Sequence, residues 1–298
     1  MRVFVTGATG FLGSAIVPEL IGAGHRVVGL ARSDAAAASL TAAGADVRRG
    51  TLDDLDSLRH GAASADAVIH AGFNHDFANY GAAAETDRLA IEALGGVLAG
   101  SDRPFLVTSG TALATPGRAA TEEDAANSTV PRKSEEAAAS AAAQGARVAV
   151  VRLPPSVHGD GDHGFIPMLI GIAREKGVSA YVGDGQNRWA AVHRLDAAHL
   201  YRLALENGSW MPRYHAVADE GVPFREIAEV IGRRLNVPVV GKSSEEAADH
   251  FGWFAAFTSL DCPASSTETQ ERLGWHPMHA GLIPDIDRPS YFAIKQKA

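Results

Sequence analysis

Apolar residues fall along this chain in two alternating textures. Short continuous runs rich in Val, Ile, Leu and Phe begin at Arg2 ("RVFVTG"), His25 ("HRVVGLAR"), Ala45 ("ADVRRG"), Asp66 ("DAVIHAG"), Pro104 ("PFLVTSG") and Arg147 ("RVAVVRLP"). Between them, Phe11–Ala23, Ser33–Ala43, Glu85–Leu98 and Ser134–Gln144 carry apolar or Ala-rich positions that fit helices. Strands without a polar face need cover on both sides, so the pattern predicts a doubly wound parallel α/β sheet. After Pro154 the texture changes. "PPSVHGDGDHG" is a Gly/Pro/His loop, a helix is expected at Phe165–Lys176, "RYHAVADEG" reads as one late strand, and Val222–Asn236 is an amphipathic helix. This last part has no strand–helix rhythm of its own. It predicts a sheet domain over 1–155 and a smaller cap over 156–298, with segments of the cap returning to the sheet.

The first strand runs into "TGATGFLG", which sets Gly7, Gly10 and Gly13 in a G-x-x-G-x-x-G spacing before a helix. Glycine at 7 permits a tight turn, glycine at 10 lets backbone approach a diphosphate, and glycine at 13 lets helix and strand pack closely. The diphosphate then sits at the positive end of the helix. Strand, turn, helix and a second strand about 20 residues on make a Rossmann-type dinucleotide site the expectation. The end of that second strand selects the dinucleotide. An acid there would accept the ribose 2′-hydroxyl of NAD, but "VVGLARSD" offers Arg32 and Ser33, and a guanidinium pairs with a 2′-phosphate. NADP(H) is the cofactor expected; Asp34, placed at the strand end, would restore NAD.

Bulk properties narrow the classes that remain. A net charge of −8 argues against nucleic-acid or acidic-membrane partners, because phosphate affinity needs clustered cations. No apolar run reaches the roughly 18 residues that span a bilayer, and the N-terminus is a strand and turn rather than a targeting segment. Cys262 is the only cysteine, so no intrachain disulfide forms, which fits a reducing cytoplasm. A cytoplasmic monomer or homodimer acting on a small molecule is expected. "HGDGDHG" (His158–Gly164) holds two His and two Asp, yet its glycines fit a pocket loop, and no metal is expected.

Several motifs together resemble the extended short-chain dehydrogenase/reductase family, in the branch of NAD-dependent epimerases and dehydratases. "TGATGFLG" resembles the family turn, "RRGTLDDLDSL" its "GDLxDxxSL" segment and "DAVIHAG" its "VIHxAA" segment. "VRLPPSVHGDGDHG" is similar to "LRPxxVYGPG", "WAAVHRLDAAHLY" to "FVHVDDxAxA" and "STETQERLGWHP" to a late "LGWxP" segment, so the resemblance spans nearly the whole chain. It implies a Rossmann-type doubly wound sheet with a C-terminal substrate-binding cap. It places Gly7, Thr9, Gly10, Phe11 and Leu12 at the cofactor phosphates, and Arg32 with Ser33 at the 2′-phosphate. Leu52 and Asp53 fall near the adenine, Ala71, Gly72 and Phe73 along the ribose, and Ser109, Pro154 and Ser156 toward the nicotinamide. Thr51 departs from an acidic adenine contact but keeps an acceptor.

The family chemistry is hydride transfer beside a Tyr acid/base whose pKa is lowered by a Lys four residues later. "NSTVPRKSEEAAAS" lacks that tyrosine. One register puts Val130 at the Tyr position and Ser134 at the Lys position; the other puts Lys133 at the Lys position and Thr129 at the Tyr position. The strand-end hydroxyl is divided between Ser109 and Thr111, which flank Gly110. Proton donors are then sought among His75, Asp76, Tyr80, His158 and His193, of which a His has the right pKa; the implied substrate side of the cleft holds His158, His193 and Trp189. Three readings are open. The chain is an atypical NADP(H)-dependent reductase of a carbonyl or similar C=X group, a non-catalytic NADP(H)-binding sensor similar to NmrA-like proteins, or an epimerase or dehydratase. The first is preferred, with an apolar or aromatic substrate, because the pocket loops carry His158, His193, Trp189 and Phe73 and few cations. Catalytic candidates are Ser109, Thr111, His158 and His193.

Overall fold

The computed structural model describes residues 1–76, 79–113, 117–127, 130–207 and 210–293. The six apolar runs form strands β1 (Arg2–Thr6), β2 (Arg26–Ala31), β3 (Asp46–Arg49), β4 (Ala67–His70), β5 (Pro104–Gly110) and β6 (Arg147–Leu153). Helices α1 (Gly13–Gly22), α2 (Asp34–Ala42), α3 (Leu55–Ala63), α4 (Tyr80–Leu98) and α5 (Ser134–Ala143) connect them. All these strands pair in parallel in the order β6-β5-β4-β1-β2-β3, and Val3 lies beside Val27 on one side and Ala67 on the other. Successive residues alternate between two cores, as the period of a strand requires. Val3 and Val5 meet Ile16 and Leu20 of α1, whereas Phe4 meets Leu58 of α3 and Ile91 and Leu94 of α4. Helix α4 starts at Tyr80, one turn earlier than its apolar pattern shows, because its first residues are small rather than periodic.

The remaining chain forms β7 (Ser156–His158), α6 (Phe165–Lys176), β8 (Ser179–Val182), β9 (Arg188–His193), α7 (Arg194–Glu206), β10 (Arg213–His215) and β11 (Asp219–Pro223). It continues through α8 (Phe224–Leu235), β12 (Val239–Lys242), α9 (Ser244–Phe251), α10 (Ala255–Thr258), α11 (Thr267–Leu273), α12 (Leu282–Ile286) and α13 (Pro289–Phe292). "RYHAVADEG" is therefore two strands, not one. Strand β10 runs parallel to β6 and completes a seven-stranded sheet, while β11 turns into the cap beside β9. Helix α7 also returns, packing Leu200, Tyr201 and Ala204 into the same core as α1. The cap has two small sheets, β11-β9-β7 and β12-β8, whose three- to six-residue strands leave too short a pattern for sequence periodicity to show. Its core gathers Trp189, Phe224, Phe251 and Phe254, with Trp253 left 54% exposed. No described helix is long and apolar enough to cross a membrane.

Candidate dinucleotide and active site

The turn between β1 and α1 is built on its glycines. Gly7 has φ +66°, and a Cβ there would lie 2.5 Å from the Ala71 carbonyl oxygen. A Cβ on Gly13 would meet the Gly7 oxygen at 2.0 Å, so helix and turn touch backbone to backbone. Gly10 N–H donates to the Gly7 oxygen at 2.9 Å, which closes the turn and leaves Thr9 and Gly10 exposed above it. Helix α1 has no side-chain cap, so the amides of its first turn have no side-chain acceptor. This is a cradle shaped for a phosphate, and the residues fit the dinucleotide that the sequence implies.

Strand β2 ends at Ala31, and Arg32 follows it on the surface. Ser33 caps α2 by accepting from Ala36 N–H, which leaves its own O–H to donate. Asp34 lies inside α2 rather than at the strand end, and its carboxylate is ion-paired with Arg49. Arg49, which also donates to the Ser33 carbonyl oxygen, escaped sequence reading because it lies fifteen or more residues away on β3. Leu52 packs against Gly72, 3.1 Å from where a Cβ would be. Asp53 accepts from Thr86 Oγ1 at 3.1 Å, tying the loop after β3 to α4.

Behind Ala71–Phe73 runs a buried polar string. His70 Nδ1 is 2.9 Å from Thr6 Oγ1, its Nε2 donates to Asp87 at 3.1 Å, and Ser134 Oγ donates to the other Asp87 oxygen at 2.5 Å. Burial pushes the Asp87 carboxyl up, but His70, the Arg132 charge and Ser134 outweigh it and hold it below the usual carboxylate range. Arg132 donates to Ser134 Oγ and to the Thr108 carbonyl oxygen, and its guanidinium lies 4.4 Å over the Phe73 ring. His75 and Tyr80 pack on other sides of that ring. Ser134 is thus tied into the protein interior, Lys133 is exposed at the start of α5, and Val130 carries no acid/base group; Thr129 lies outside the described residues. Arg132, a cation beside Phe73 and Ser134, was passed over in sequence reading in favour of its neighbour.

At the carboxyl ends of β5, β6 and β7 several buried polar atoms lack a hydrogen-bond partner among the described residues: Ser109 Oγ, Thr111 Oγ1, Ser156 Oγ and His158 Nε2. Ser109 pairs in register with Arg152, and β6 runs through Pro154 and Pro155 into Ser156, so these strand ends adjoin. Ser156 and His158 share one face of β7, opposite Ala191 and His193 of β9. His158 is fully buried and donates from Nδ1 to Asp285 of α12 at 2.8 Å. Burial pushes the Asp285 carboxyl up, yet His158 and Arg288 outweigh it and keep it an anion at neutral pH. Tyr291 O–H reaches the same carboxylate at 3.3 Å and accepts from Gly159 N–H at 2.8 Å. His193 lies edge-on to His158 with centroids 5.5 Å apart and stacks on His279 at 4.6 Å. Burial, then the His158 and His279 charges, push the His193 imidazole below its usual range.

Not every sequence candidate joins this group. Trp189 sits in the cap core at 1% exposure, against Phe165, Phe224 and Phe254, because it lies on the inward face of β9. Its neighbour Arg188, at the start of β9, is paired with Asp261. In the 158–164 loop the side chains diverge: His158 goes to Asp285, His163 packs on Phe11, and Asp162 accepts from Gly164 N–H. Among the described residues no three His, Cys, Asp or Glu side chains group as metal ligands do. A cavity of about 510 Å³ opens beside Gly159–His163, between Pro167, Met168 and Ile170 of α6 and Tyr291 of α13.

Residues 3–217 match the family model described as the NAD dependent epimerase/dehydratase family. The chain is 52% identical over 295 residues to an uncharacterized protein of Schizosaccharomyces pombe, covering 98% of this chain and 100% of that one. It is 27% identical over 289 residues to the 4-hydroxy-2-methyl-3-oxo-4-farnesyl-3,4-dihydroquinoline-1-oxide ketoreductase of Stigmatella aurantiaca, covering 89% of this chain and 84% of the relative. A solved dTDP-glucose 4,6-dehydratase from Streptomyces venezuelae matches with a TM-score of 0.77 at 20% identity, over 98% of this chain and 97% of the other. That likeness is one of fold.

Proposed function

The chain belongs to the NAD dependent epimerase/dehydratase family of extended short-chain dehydrogenases/reductases, and on that premise we propose that it is a cytoplasmic NADP(H)-dependent reductase of a carbonyl or similar C=X group in a small apolar or aromatic molecule. The observation that carries the reading is the set of desolvated, unpartnered atoms at the strand ends: Ser109 Oγ, Thr111 Oγ1, Ser156 Oγ and His158 Nε2. Leaving a buried donor or acceptor unmade costs about 1–3 kcal/mol, a cost that a bound reactant offsets. A module that only senses a dinucleotide accounts for Ser109 and Ser156 through the cofactor but leaves Thr111 Oγ1 and His158 Nε2 without a role. The ketoreductase relative supports a carbonyl substrate, and Pro167, Met168 and Ile170 give the cavity one apolar wall facing its polar residues Asp160, Asp162 and His163.

In this reading the turn from Gly7 to Leu12 holds the diphosphate, and Arg32 with Ser33 holds the 2′-phosphate. When bound, the dinucleotide supplies hydride chemistry at its nicotinamide. Ser109 or Thr111 donates a hydrogen bond to the carbonyl oxygen and orients it. His158, held by Asp285 through Nδ1, turns its unpartnered Nε2 to the site and delivers the proton that the developing alkoxide needs. Val130 leaves no hydroxyl to compete for that task.

The test is NADPH oxidation against a panel of aromatic, steroid-like and small aliphatic carbonyls. Turnover is expected with the apolar members, and His158→Gln should lower kcat about a hundredfold while NADPH affinity stays unchanged. Tight NADPH binding with no turnover across the panel favours the second reading, a non-catalytic NADP(H)-binding module similar to NmrA-like proteins, to which the Val130 position points.

A further inference from the structure

Arg194 stands at the first residue of α7, far in sequence from the glycine turn, and no motif singled it out. Its guanidinium lies 4.7 Å from the centre of the Phe11 ring, over the turn itself. One terminal nitrogen donates to Ser14 Oγ at 2.9 Å in the first turn of α1, and the other donates to the Asp160 carbonyl oxygen at 2.8 Å. The stem packs under the loop, where Cβ atoms on Gly159 would meet Arg194 Cγ at 3.0 Å and on Gly161 would meet Nη1 at 3.6 Å. Both glycines have positive φ, so the loop is bent to admit this side chain.

The placement runs against ordinary electrostatics. A helix N-terminus carries partial positive charge, and cations belong at the other end. Here a guanidinium is set beside the uncapped start of α1. No carboxylate among the described residues forms an ion pair with it: the Asp160 carboxylate faces Arg288 at 3.0 Å, and only the Asp160 carbonyl oxygen turns to Arg194. Its Nε is buried without a hydrogen-bond partner. Burial also pulls the guanidinium below its usual range, against the opposing pull of the Asp160 charge. Two positive features facing one another, with a buried donor left over, form a stable arrangement when an anion sits between them.

We propose that Arg194 binds the diphosphate of the dinucleotide from the cap side, opposite the glycine turn, so that the cofactor is gripped by both parts of the chain. This rests on the reading of the turn as a dinucleotide site. It also ties cofactor and cavity together, because the loop that accepts from Arg194 through Asp160 forms the cavity wall at Gly159–His163.

Binding of NADPH and of adenosine 2′-monophosphate, which lacks the diphosphate, is measured by calorimetry on the parent chain, Arg194→Met, Arg194→Lys and Ser14→Ala. Arg194→Met should weaken NADPH about tenfold to a hundredfold and leave adenosine 2′-monophosphate unchanged. Arg194→Lys should recover part of the loss, since it restores charge without the fork. Ser14→Ala removes one tie of the bridge yet keeps the cation, and should bind NADPH as the parent does. Equal loss of both ligands in Arg194→Met, or the same NADPH loss in Ser14→Ala, shows a purely structural bridge and overturns the proposal. Undiminished NADPH affinity in Arg194→Met overturns it as well, while leaving the dinucleotide reading intact. A parent chain that binds neither NADPH nor NADH overturns both.

Discussion

Arg32 and Asp34 sit two residues apart in different surroundings, and the proposed preference for NADP(H) rests on that difference. Arg32 is exposed just past the end of β2, with no ion-pair partner among the described residues, whereas Asp34 is engaged by Arg49. An unpaired guanidinium at the end of the second strand suits a 2′-phosphate, and the ion pair with Arg49 draws the Asp34 carboxylate toward β3. Arg32→Glu should therefore reverse the preference, with NADPH affinity falling at least tenfold and NADH affinity rising, as read by titration of nucleotide fluorescence. An unchanged ratio of the two affinities removes Arg32 from the site. The single-residue features legible in the sequence were those set by the local backbone, above all Gly7 and Gly13 of the turn, whose close contacts follow from their spacing. The His158 partner was not legible, because Asp285 lies 127 positions away and no spacing rule joins a β7 histidine to a carboxylate on α12.

At the scale of an element, the β1–α1 unit was readable nearly residue by residue, since each of its steps is governed by backbone sterics. Gly13 shows how tight those are: Gly13→Ala forces a Cβ onto the Gly7 carbonyl oxygen. The substitution should cost about 1–3 kcal/mol in urea denaturation of the unliganded chain, despite the better helix propensity of Ala. A more stable variant would show that the turn relaxes freely and is no fixed cradle. The start of α5 was less readable. "TVPRKSEE" offers two registers, and the surroundings of its two candidates for the Lys position are tertiary: Ser134 reaches the buried Asp87 while Lys133 is exposed. The cap strands were illegible for the same reason, because β11 carries Asp, Glu, Gly and Pro and pairs only where β9 presents an edge.

Across the whole molecule, the sheet is not finished by the first 155 residues. Strand β10 and helix α7 come from the later part of the chain, and they cover one edge and one face of the earlier part. A fragment of residues 1–155 leaves the β6 edge unpaired and the apolar face over Val3 and Val5 partly bare. It should aggregate, or bind NADPH more than tenfold worse than the full chain, whereas a fragment of 1–217 that includes α7 and β10 should be the more soluble of the two in sedimentation. Equal solubility and affinity of 1–155 and the full chain would show the early strands to be self-sufficient. The late arrival of β10 has a further consequence during synthesis. On the ribosome, the first six strands emerge before the one that closes their edge, so a nascent chain passes through an interval in which β6 is an open template for other chains. Chaperone dependence in the cell should be concentrated in that interval, and a pause in translation just before Arg213 would lengthen it.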